Sequence, residues 1–219
     1  MGKTLPELIS LVQSWCAVDQ DDDDERLPST VVSTIIEMVS RDYLRRRESR
    51  LGEADDSFTT VVNTPNYNWP ASFSKPRKLW YLNNKNQAVV IQFKNKDKFD
   101  ALYPFTSPII SGATITDNSA FGDPVHFTLW KKQFVLGPAP SSITTIYIDY
   151  YSIDGLTRFL DEAWEYLLFA SLVKSTEFGV EDSRLPVWVR EAEKFELAID
   201  NEDSRQSVVS SISQSVEPG

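Results

Sequence analysis

Residues 121–151 contain three runs in which apolar and polar side chains alternate. The apolar positions are Phe127, Leu129, Phe134, Leu136, Ile146, Ile148 and Tyr150. Lys131 and Lys132 separate the first run from the second, and Gly-Pro-Ala-Pro at 137–140 separates the second from the third. Alternation with a period of two places every second side chain on one face of a β-strand. The segment therefore predicts an antiparallel meander with one packed face.

Apolar residues with helical spacing lie on both sides of this segment. The predicted helices are Thr4–Cys16, Pro28–Glu48, Thr157–Phe178 and Leu185–Asp200, with a short helix at Asp97–Tyr103. Further strands are predicted at Phe58–Val62, Lys78–Leu82 and Ala88–Phe93. The helix over 157–178 is apolar around so much of its circumference that burial on more than one side is expected. The pattern predicts an α+β fold, in which a bundle of about four helices carries an inserted antiparallel β-rich domain.

The changes of periodicity set the predicted domain boundaries. Residues 1–57 and 152–200 are expected to form the helical domain, and residues 58–151 the β-rich domain. Residues 201–219 are rich in Ser and Gln. The apolar residues of that last stretch are Val208, Val209, Ile212 and Val216. Because so few apolar residues cannot bury a core, an extended C-terminal arm that becomes ordered on another chain is expected.

Composition excludes several classes of function. The net charge is −10, from 22 basic and 32 acidic residues. This charge argues against binding to a nucleic acid or to an anionic membrane. Hydrophobic residues make up 41% of the chain, enough for a core. Cys16 is the only cysteine, so an intrachain disulfide is excluded. With no signal-peptide or membrane-spanning pattern in the sequence, synthesis in the cytoplasm is expected.

The C-terminal part of the second predicted helix is rich in arginine. The residues are Arg41, Arg45, Arg46, Arg47 and Arg50. Cations at a helix C-terminus interact favourably with the helix dipole, which is the simpler interpretation. The alternative is a contact with an acidic neighbour, such as the Asp21–Asp24 loop of another copy. The sequence leaves both interpretations open.

No residue pattern points to catalysis, and none predicts a bound cofactor or metal. Asp19–Glu25 has six acids in seven positions, but an EF-hand loop needs Gly and Glu where Asp24 and Thr30 stand. His126 is the only histidine, and neither His126 nor Cys16 lies in a motif for nucleophilic catalysis. We therefore expect a protein that is not an enzyme.

Several segments share their order with one family of proteins. The second predicted helix ends in a basic stretch, and residues 67–73 read Tyr-Asn-Trp-Pro-Ala-Ser-Phe. Residues 121–151 combine a Gly-Asp-Pro turn, a Gly-Pro-Ala-Pro corner and a strand ending in Tyr-Tyr, and a long apolar helix follows. Over roughly residues 3–200, this order resembles the head-to-tail adaptor (connector) proteins of tailed bacteriophages. The turn at Lys131–Gln133 departs from the family pattern, because it lacks the glycine often found there.

The resemblance implies a structural protein of the virion neck. Family members form a ring, usually of twelve copies, beneath the portal protein at the head vertex. The ring extends the DNA channel and gives tail or nozzle proteins a surface for attachment. DNA would pass through the lumen without specific binding, and no membrane would be involved.

On this interpretation, two sets of residues are expected to contact other chains. The inter-subunit surface of the helices contains Arg41, Arg45, Arg46, Trp164, Tyr166 and Phe169. The portal-docking or inter-subunit arm contains Val208, Val209, Ile212 and Val216. The main alternative is another phage tail or decoration subunit with a ligand-binding β domain. A hydrolase that uses carboxylates and a DNA-binding protein with a basic patch are further alternatives.

Overall fold

The computed structural model of the protein describes residues 2–16, 27–104, 121–178, 180 and 182–215, with side chains up to residue 205. The acidic stretch Asp19–Glu25 lies outside the described residues. Two units are separately compact: a helical unit, Met1–Glu53 with Ser152–Gly219, and a β unit, Ala54–Tyr151. Both helices and strands are present, so the prediction of an α+β fold is confirmed.

Six α-helices lie in the described residues, where the sequence predicts a bundle of about four. They are α1 (Leu5–Cys16), α2 (Ser29–Arg46), α3 (Lys96–Leu102), α4 (Leu156–Glu162), α5 (Trp164–Ser175) and α6 (Leu185–Ser215). The start of α1 is capped reciprocally, because the Thr4 amide donates to Glu7 Oε2 at 2.8 Å and the Glu7 amide donates to Thr4 Oγ1 at 3.4 Å.

The helix predicted over 157–178 is interrupted at Ala163. Ala163 has φ −144° and ψ 32°, outside the helical region. The break lets two aromatic residues on either side of it pack on one ring: the centroid of Tyr43 lies 5.4 Å from that of Phe159 and 5.2 Å from that of Tyr166. The hydrophobic pattern of residues 157–178 alone cannot show this break, because Tyr43 belongs to a different helix, α2.

The C-terminal segment is also more helical than the sequence predicts. The extended arm expected from residue 201 is not confirmed, since α6 continues to Ser215. Contacts hold its middle part, where Ser204 Oγ donates to the Asp200 carbonyl at 2.8 Å and Asp203 approaches Arg50. Charged and polar residues such as these are compatible with an exposed helix, which the low apolar content concealed.

The helical unit has one main apolar core. Its largest fully buried side chains are Trp188, Tyr43, Phe159, Leu8, Ile35, Ile36 and Leu51. These residues come from α1, α2, α4, α6 and the turn after α2, so each of these elements contributes a buried side chain to the same cluster. Burial of this kind supplies most of the stability of helices that are marginal alone.

The β unit contains a mixed sheet rather than an antiparallel one. Its strands are β1 (Glu53–Thr59), β2 (Asn66–Asn68), β3 (Phe73–Leu82), β4 (Ala88–Phe93), β5 (Phe121–Gly122), β6 (His126–Trp130), β7 (Gln133–Gly137), β8 (Ala139–Pro140) and β9 (Thr145–Ser152). Seven strands pair in the order β1-β9-β3-β4-β6-β7-β2, and β5 pairs with β8. The β4–β6 pair is parallel, because the chain between these strands includes α3 and crosses over before it returns.

The sheet curls so that its two edge strands approach each other. Phe58 in β1 stacks on Tyr67 in β2, with ring centroids 4.5 Å apart, although these strands lie at opposite ends of the strand order. Phe134, Leu79 and Ile146 are fully buried inside the curled sheet. The predicted strand Phe58–Val62 is displaced, since β1 ends at Thr59 and Val61 and Val62 are exposed.

Candidate assembly surfaces

The basic end of α2 lies against an acidic face of α6. Arg47 Nη2 is 3.5 Å from Glu196 Oε1 and 3.3 Å from Asp200 Oδ2, and Arg46 Nη1 is 4.0 Å from Glu196 Oε1. The Tyr43 hydroxyl donates to Asp200 Oδ1 at 3.2 Å. The acidic neighbour of these arginines therefore lies on the same chain. Exposed ion pairs of this kind contribute little singly, so the contact positions the two helices more than it stabilises them.

Arg50 connects three elements of the helical unit. Its guanidinium contacts Glu162 at the end of α4, and its Nε lies 3.2 Å from Asp203 Oδ1 on α6. Arg158 Nη1 donates to the Arg50 carbonyl at 2.8 Å. Burial raises the pKa of the Asp203 carboxyl, while the nearby Arg50 acts in the opposite direction. The acids of α6 at 196, 200 and 203 have helical spacing, a signal that the sequence analysis missed.

The predicted inter-subunit residues lie in different environments. Arg41 and Arg45 are exposed and pair along α2 with Glu37 at 3.7 Å and Asp42 at 3.8 Å. Tyr166, by contrast, is 4% exposed in the core of the helical unit. Burial, followed by the charge of Glu196, raises the pKa of the Tyr166 phenol to about 12. The Tyr166 ring is therefore not part of the surface of this unit.

Trp164 and Phe169 are half-buried aromatic residues of α5. The Lys3 ammonium lies 5.5 Å from the centre of the Trp164 ring. Phe169 packs edge-on against Trp15 at 5.6 Å and is stacked on Phe195 of α6 at 5.8 Å. Each ring keeps some exposure, so a neighbouring chain can still cover it.

Among the described residues of the helical unit, three of the five exposed large apolar side chains lie on α6. Val187, Val189 and Leu197 are exposed to 47%, 37% and 60%. Val189 and Leu197 are eight residues apart, a spacing within one helical stripe. Single exposed apolar residues need no explanation, but three on one helix indicate a surface that another chain can cover.

The four apolar residues of the predicted arm are placed only in part. Val208, Val209 and Ile212 lie on the helical backbone of α6, and Val216 lies outside the described residues. Their spacing of one, four and eight residues from Val208 is helical, which the sequence analysis did not use.

A partly buried ion pair just before α6 contacts the end of α1. The Arg184 guanidinium binds the Asp182 carboxylate and donates from Nη2 to the Trp15 carbonyl at 2.7 Å. Only 3% of the Asp182 side chain is exposed. Hydrogen bonds from Arg184 lower the pKa of the Asp182 carboxyl from its ordinary value of about 3.8.

Replacing Asp182 by asparagine is expected to reduce stability at neutral pH by about 1–2 kcal/mol. A depressed folded-state pKa adds stability above the ordinary value, and this stability is lost as the pH falls through the folded-state pKa. The variant should therefore lose less stability than the wild type on acidification below about pH 4. Urea unfolding between pH 3 and 7 measures this, with Glu177→Gln at an exposed pair as control. If the free energies of unfolding of the wild type and of Asp182→Asn change in parallel with pH, the lowered pKa of Asp182 is contradicted.

His126 and Cys16 have structural contacts. His126 Nδ1 is 2.8 Å from the Tyr103 hydroxyl, and burial followed by the charge of Lys94 lowers the pKa of the imidazole. Cys16 is buried with its sulfur 3.7 Å from Ser175 Oγ, and burial raises the pKa of its thiol. Within the described residues, no group of three or more His, Cys, Asp and Glu side chains is placed to hold a metal ion.

The β unit has a polar cavity of about 310 Å³ beside the β3–β4 turn. Amide, hydroxyl and carboxylate groups dominate its lining, which includes Asn83, Asn84, Gln87, Asp123 and Thr144. Such a lining suits a small polar molecule, although the apolar part that most ligand sites have is small.

Comparison with known families places these surfaces in context. Residues 3–207 match the model of the SU10 adaptor protein family. No curated protein matches the chain. Within the described residues, no helix combines the length and the hydrophobicity that are needed to span a bilayer. The family match covers nearly the whole chain and confirms the resemblance seen in the sequence. The chain belongs to the SU10 adaptor protein family, a family of phage head-to-tail adaptors.

Proposed function

We propose that this protein forms a ring, of twelve copies, beneath the portal of a tailed phage. The ring extends the DNA channel and provides the surface to which tail or nozzle proteins attach, so the protein is a structural component of the virion neck. The observation that carries the proposal is the family match over residues 3–207. No catalytic step is part of this function.

Uncovered apolar surface on the helical unit supports a ring. Neighbours in a ring meet through two different patches, so each subunit presents two surfaces for burial. The exposed stripe with Val189 and Leu197 is one candidate patch, and the half-buried rings of Trp164 and Phe169 are another. Arg41 and Arg45 remain exposed for pairing at the edge of such an interface. Tyr166 acts behind this surface, as part of the core.

The charge of the chain supports a channel through which DNA slides. The net charge of −10 makes the protein as a whole repel phosphates, and a channel wall of this kind does not hold DNA in place. Residues 201–219, with Val208, Val209, Ile212 and Val216, are the proposed contact with the portal or with an adjacent adaptor. Docking there would remove these apolar side chains from water at the time of assembly.

Negative-stain microscopy and mass photometry test the proposal directly. The purified protein is mixed with its portal protein at physiological ionic strength, and rings attached coaxially to the portal are expected. A truncation after residue 205 should weaken portal binding and leave the helical unit folded by circular dichroism. Absence of rings with the wild-type protein, over a wide range of concentration and salt, would contradict the proposal.

A second candidate is a tail or decoration subunit whose β domain binds a ligand. The polar cavity beside the β3–β4 turn favours it, because its amide and hydroxyl groups suit a carbohydrate. A glycan array separates the two functions. An adaptor should give no signal, whereas saturable glycan binding that Asp123→Ala abolishes would favour the second candidate.

A further inference from the structure

Negative charge is concentrated in the helical unit, and the β unit carries a small net positive charge although the chain as a whole is acidic. Residues 54–151 contain nine Lys and Arg against seven Asp and Glu, a net charge of +2. The helical unit therefore carries a net charge of −12, and the charges of the two units add up to −10. This segregation does not appear in the overall composition, and it gives one protein two surfaces of opposite sign.

Four lysines follow β4 or lie in the turn between β6 and β7, and we name them the lysine patch: Lys94, Lys96, Lys131 and Lys132. The Lys96 and Lys131 ammonium groups lie 5.1 Å and 6.0 Å from the centre of the Trp130 ring. Lys94 follows β4 and acts electrostatically on His126 of β6. Asp100, which pairs with Lys96, and Asp97 are the acids on the adjacent helix α3. Within the described residues, Lys96 is the member of the patch that forms an ion pair, so the patch keeps a net positive charge.

The turn that carries two of these lysines has an unfavourable backbone. Trp130 of β6 pairs with Gln133 of β7, so the turn has two residues, Lys131 and Lys132. Their φ angles are 47° and 62°, both in the left-handed region. Two-residue turns of this geometry strongly favour Asn-Gly, because these residues tolerate positive φ. Lysine at both positions costs stability, and a costly conformation at an exposed site indicates a role for the side chains.

We propose that the lysine patch binds the acidic helical unit of a second copy of this chain. This contact rests on the proposed ring, in which each subunit uses two different surfaces. The charges of +2 and −12 on the two units make them electrostatically complementary between copies. Copies that each carry a net charge of −10 repel one another at long range, and a local patch of opposite sign offsets this repulsion where two copies meet.

A nucleic acid is the other polyanion that a lysine patch can bind, and the structure favours the protein. Trp130 lies under two ammonium groups and is 36% exposed, so much of its ring is already covered and only part is free for a base to stack on. The rest of the chain also repels phosphates, since the helical unit carries almost all of the negative charge. Tryptophan is, in contrast, enriched at protein interfaces.

The test replaces both turn lysines in one variant, Lys131→Asn with Lys132→Gly. Because Asn-Gly suits the turn, the melting temperature of the variant should rise by about 2–4 °C. Ring formation at 0.15 M salt should nevertheless need at least about tenfold more protein by mass photometry. The difference from wild type should shrink at 0.5 M salt, because screening removes the attraction. The matched control, Lys78→Gln with Lys85→Asn, removes the same charge from exposed positions outside the patch and should assemble like the wild type.

Cross-linking identifies the occupant. A zero-length carbodiimide reagent joins ammonium groups to carboxylates in contact, and mixed isotope labelling separates links between copies from links within one. Links from Lys131 or Lys132 to acids of the helical unit of another copy are expected. Wild-type rings that are unaffected by the turn variant would overturn this inference and leave the proposed function standing. Retention on duplex DNA that the turn variant loses would overturn it in favour of a nucleic acid. If the wild-type protein forms no ring, both this inference and the proposed function are contradicted.

Discussion

Replacing Trp188 by alanine is expected to lower the free energy of unfolding of the helical unit by about 3–5 kcal/mol. Trp188 is 1% exposed and belongs to the main apolar core of this unit. Truncation removes its buried apolar area and leaves a cavity that the surrounding helices can only partly close. The Arg184 guanidinium, 5.3 Å from the ring centre, also loses its cation–π contact. Urea unfolding followed by circular dichroism at 222 nm measures the loss.

The control for this prediction lies on the same helix. Leu197 is 60% exposed, so Leu197→Ala should change the stability of the monomer by less than about 0.5 kcal/mol. In the proposed ring, the same substitution should weaken association instead. Trp188→Phe, which keeps an aromatic ring, should recover part of the lost stability. Equal losses for Trp188→Ala and Leu197→Ala would show that α6 is not anchored as the structure describes.

Replacing Arg50 by methionine is expected to cost about 3 kcal/mol, because the substitution leaves the Asp203 carboxylate buried without its cation. The side chains of Arg50 and Asp203 are 22% and 17% exposed, so the loss of stability is expected at the low end of the range for buried ion pairs. Glu162 also loses this partner, but 41% of its side chain is exposed and water can solvate it. Methionine retains the apolar packing of the arginine stem, so the measured loss reports mainly on charge.

The pH dependence of the Arg50→Met variant separates charge from packing. Burial already raises the pKa of the Asp203 carboxyl, and loss of Arg50 should raise that pKa further. An acid whose folded-state pKa is raised destabilises the fold most when it is ionised. The deficit of the variant should therefore be greatest at neutral pH and shrink as the pH falls through the folded-state pKa. The double variant with Asp203→Leu should recover stability at pH 7. A deficit that does not depend on pH would assign the effect to packing alone.

Both predictions concern how α6 is held, and this was the part of the fold least accessible from the sequence. The apolar spacing around Trp188 predicted a helix to Asp200, and α6 includes that range. The continuation past Asp200 depends on acids that contact Arg47 and Arg50. These partners are about 150 residues apart along the chain, so no local pattern brings them together.

Local signals determined a large part of this protein. Apolar periodicity distinguished helices from strands, the Thr4–Glu7 pair marked the start of α1, and the alternation in residues 121–151 identified the inward side chains of β6, β7 and β9. Each of these depends on residues within a few positions of one another, where backbone geometry alone sets which side chains share a face. The order of such segments was also sufficient to indicate the family.

Only the tertiary structure decided the features that depend on distant residues. The break at Ala163 follows from packing on Tyr43, and the parallel β4–β6 pair follows from a crossover. The basic end of α2 meets acids of its own chain, and two lysines from separate segments, Lys96 and Lys131, lie over the ring of Trp130. Contacts of this kind depend on the burial and charge balance of the whole fold. The spacing of residues along the chain therefore does not predict them.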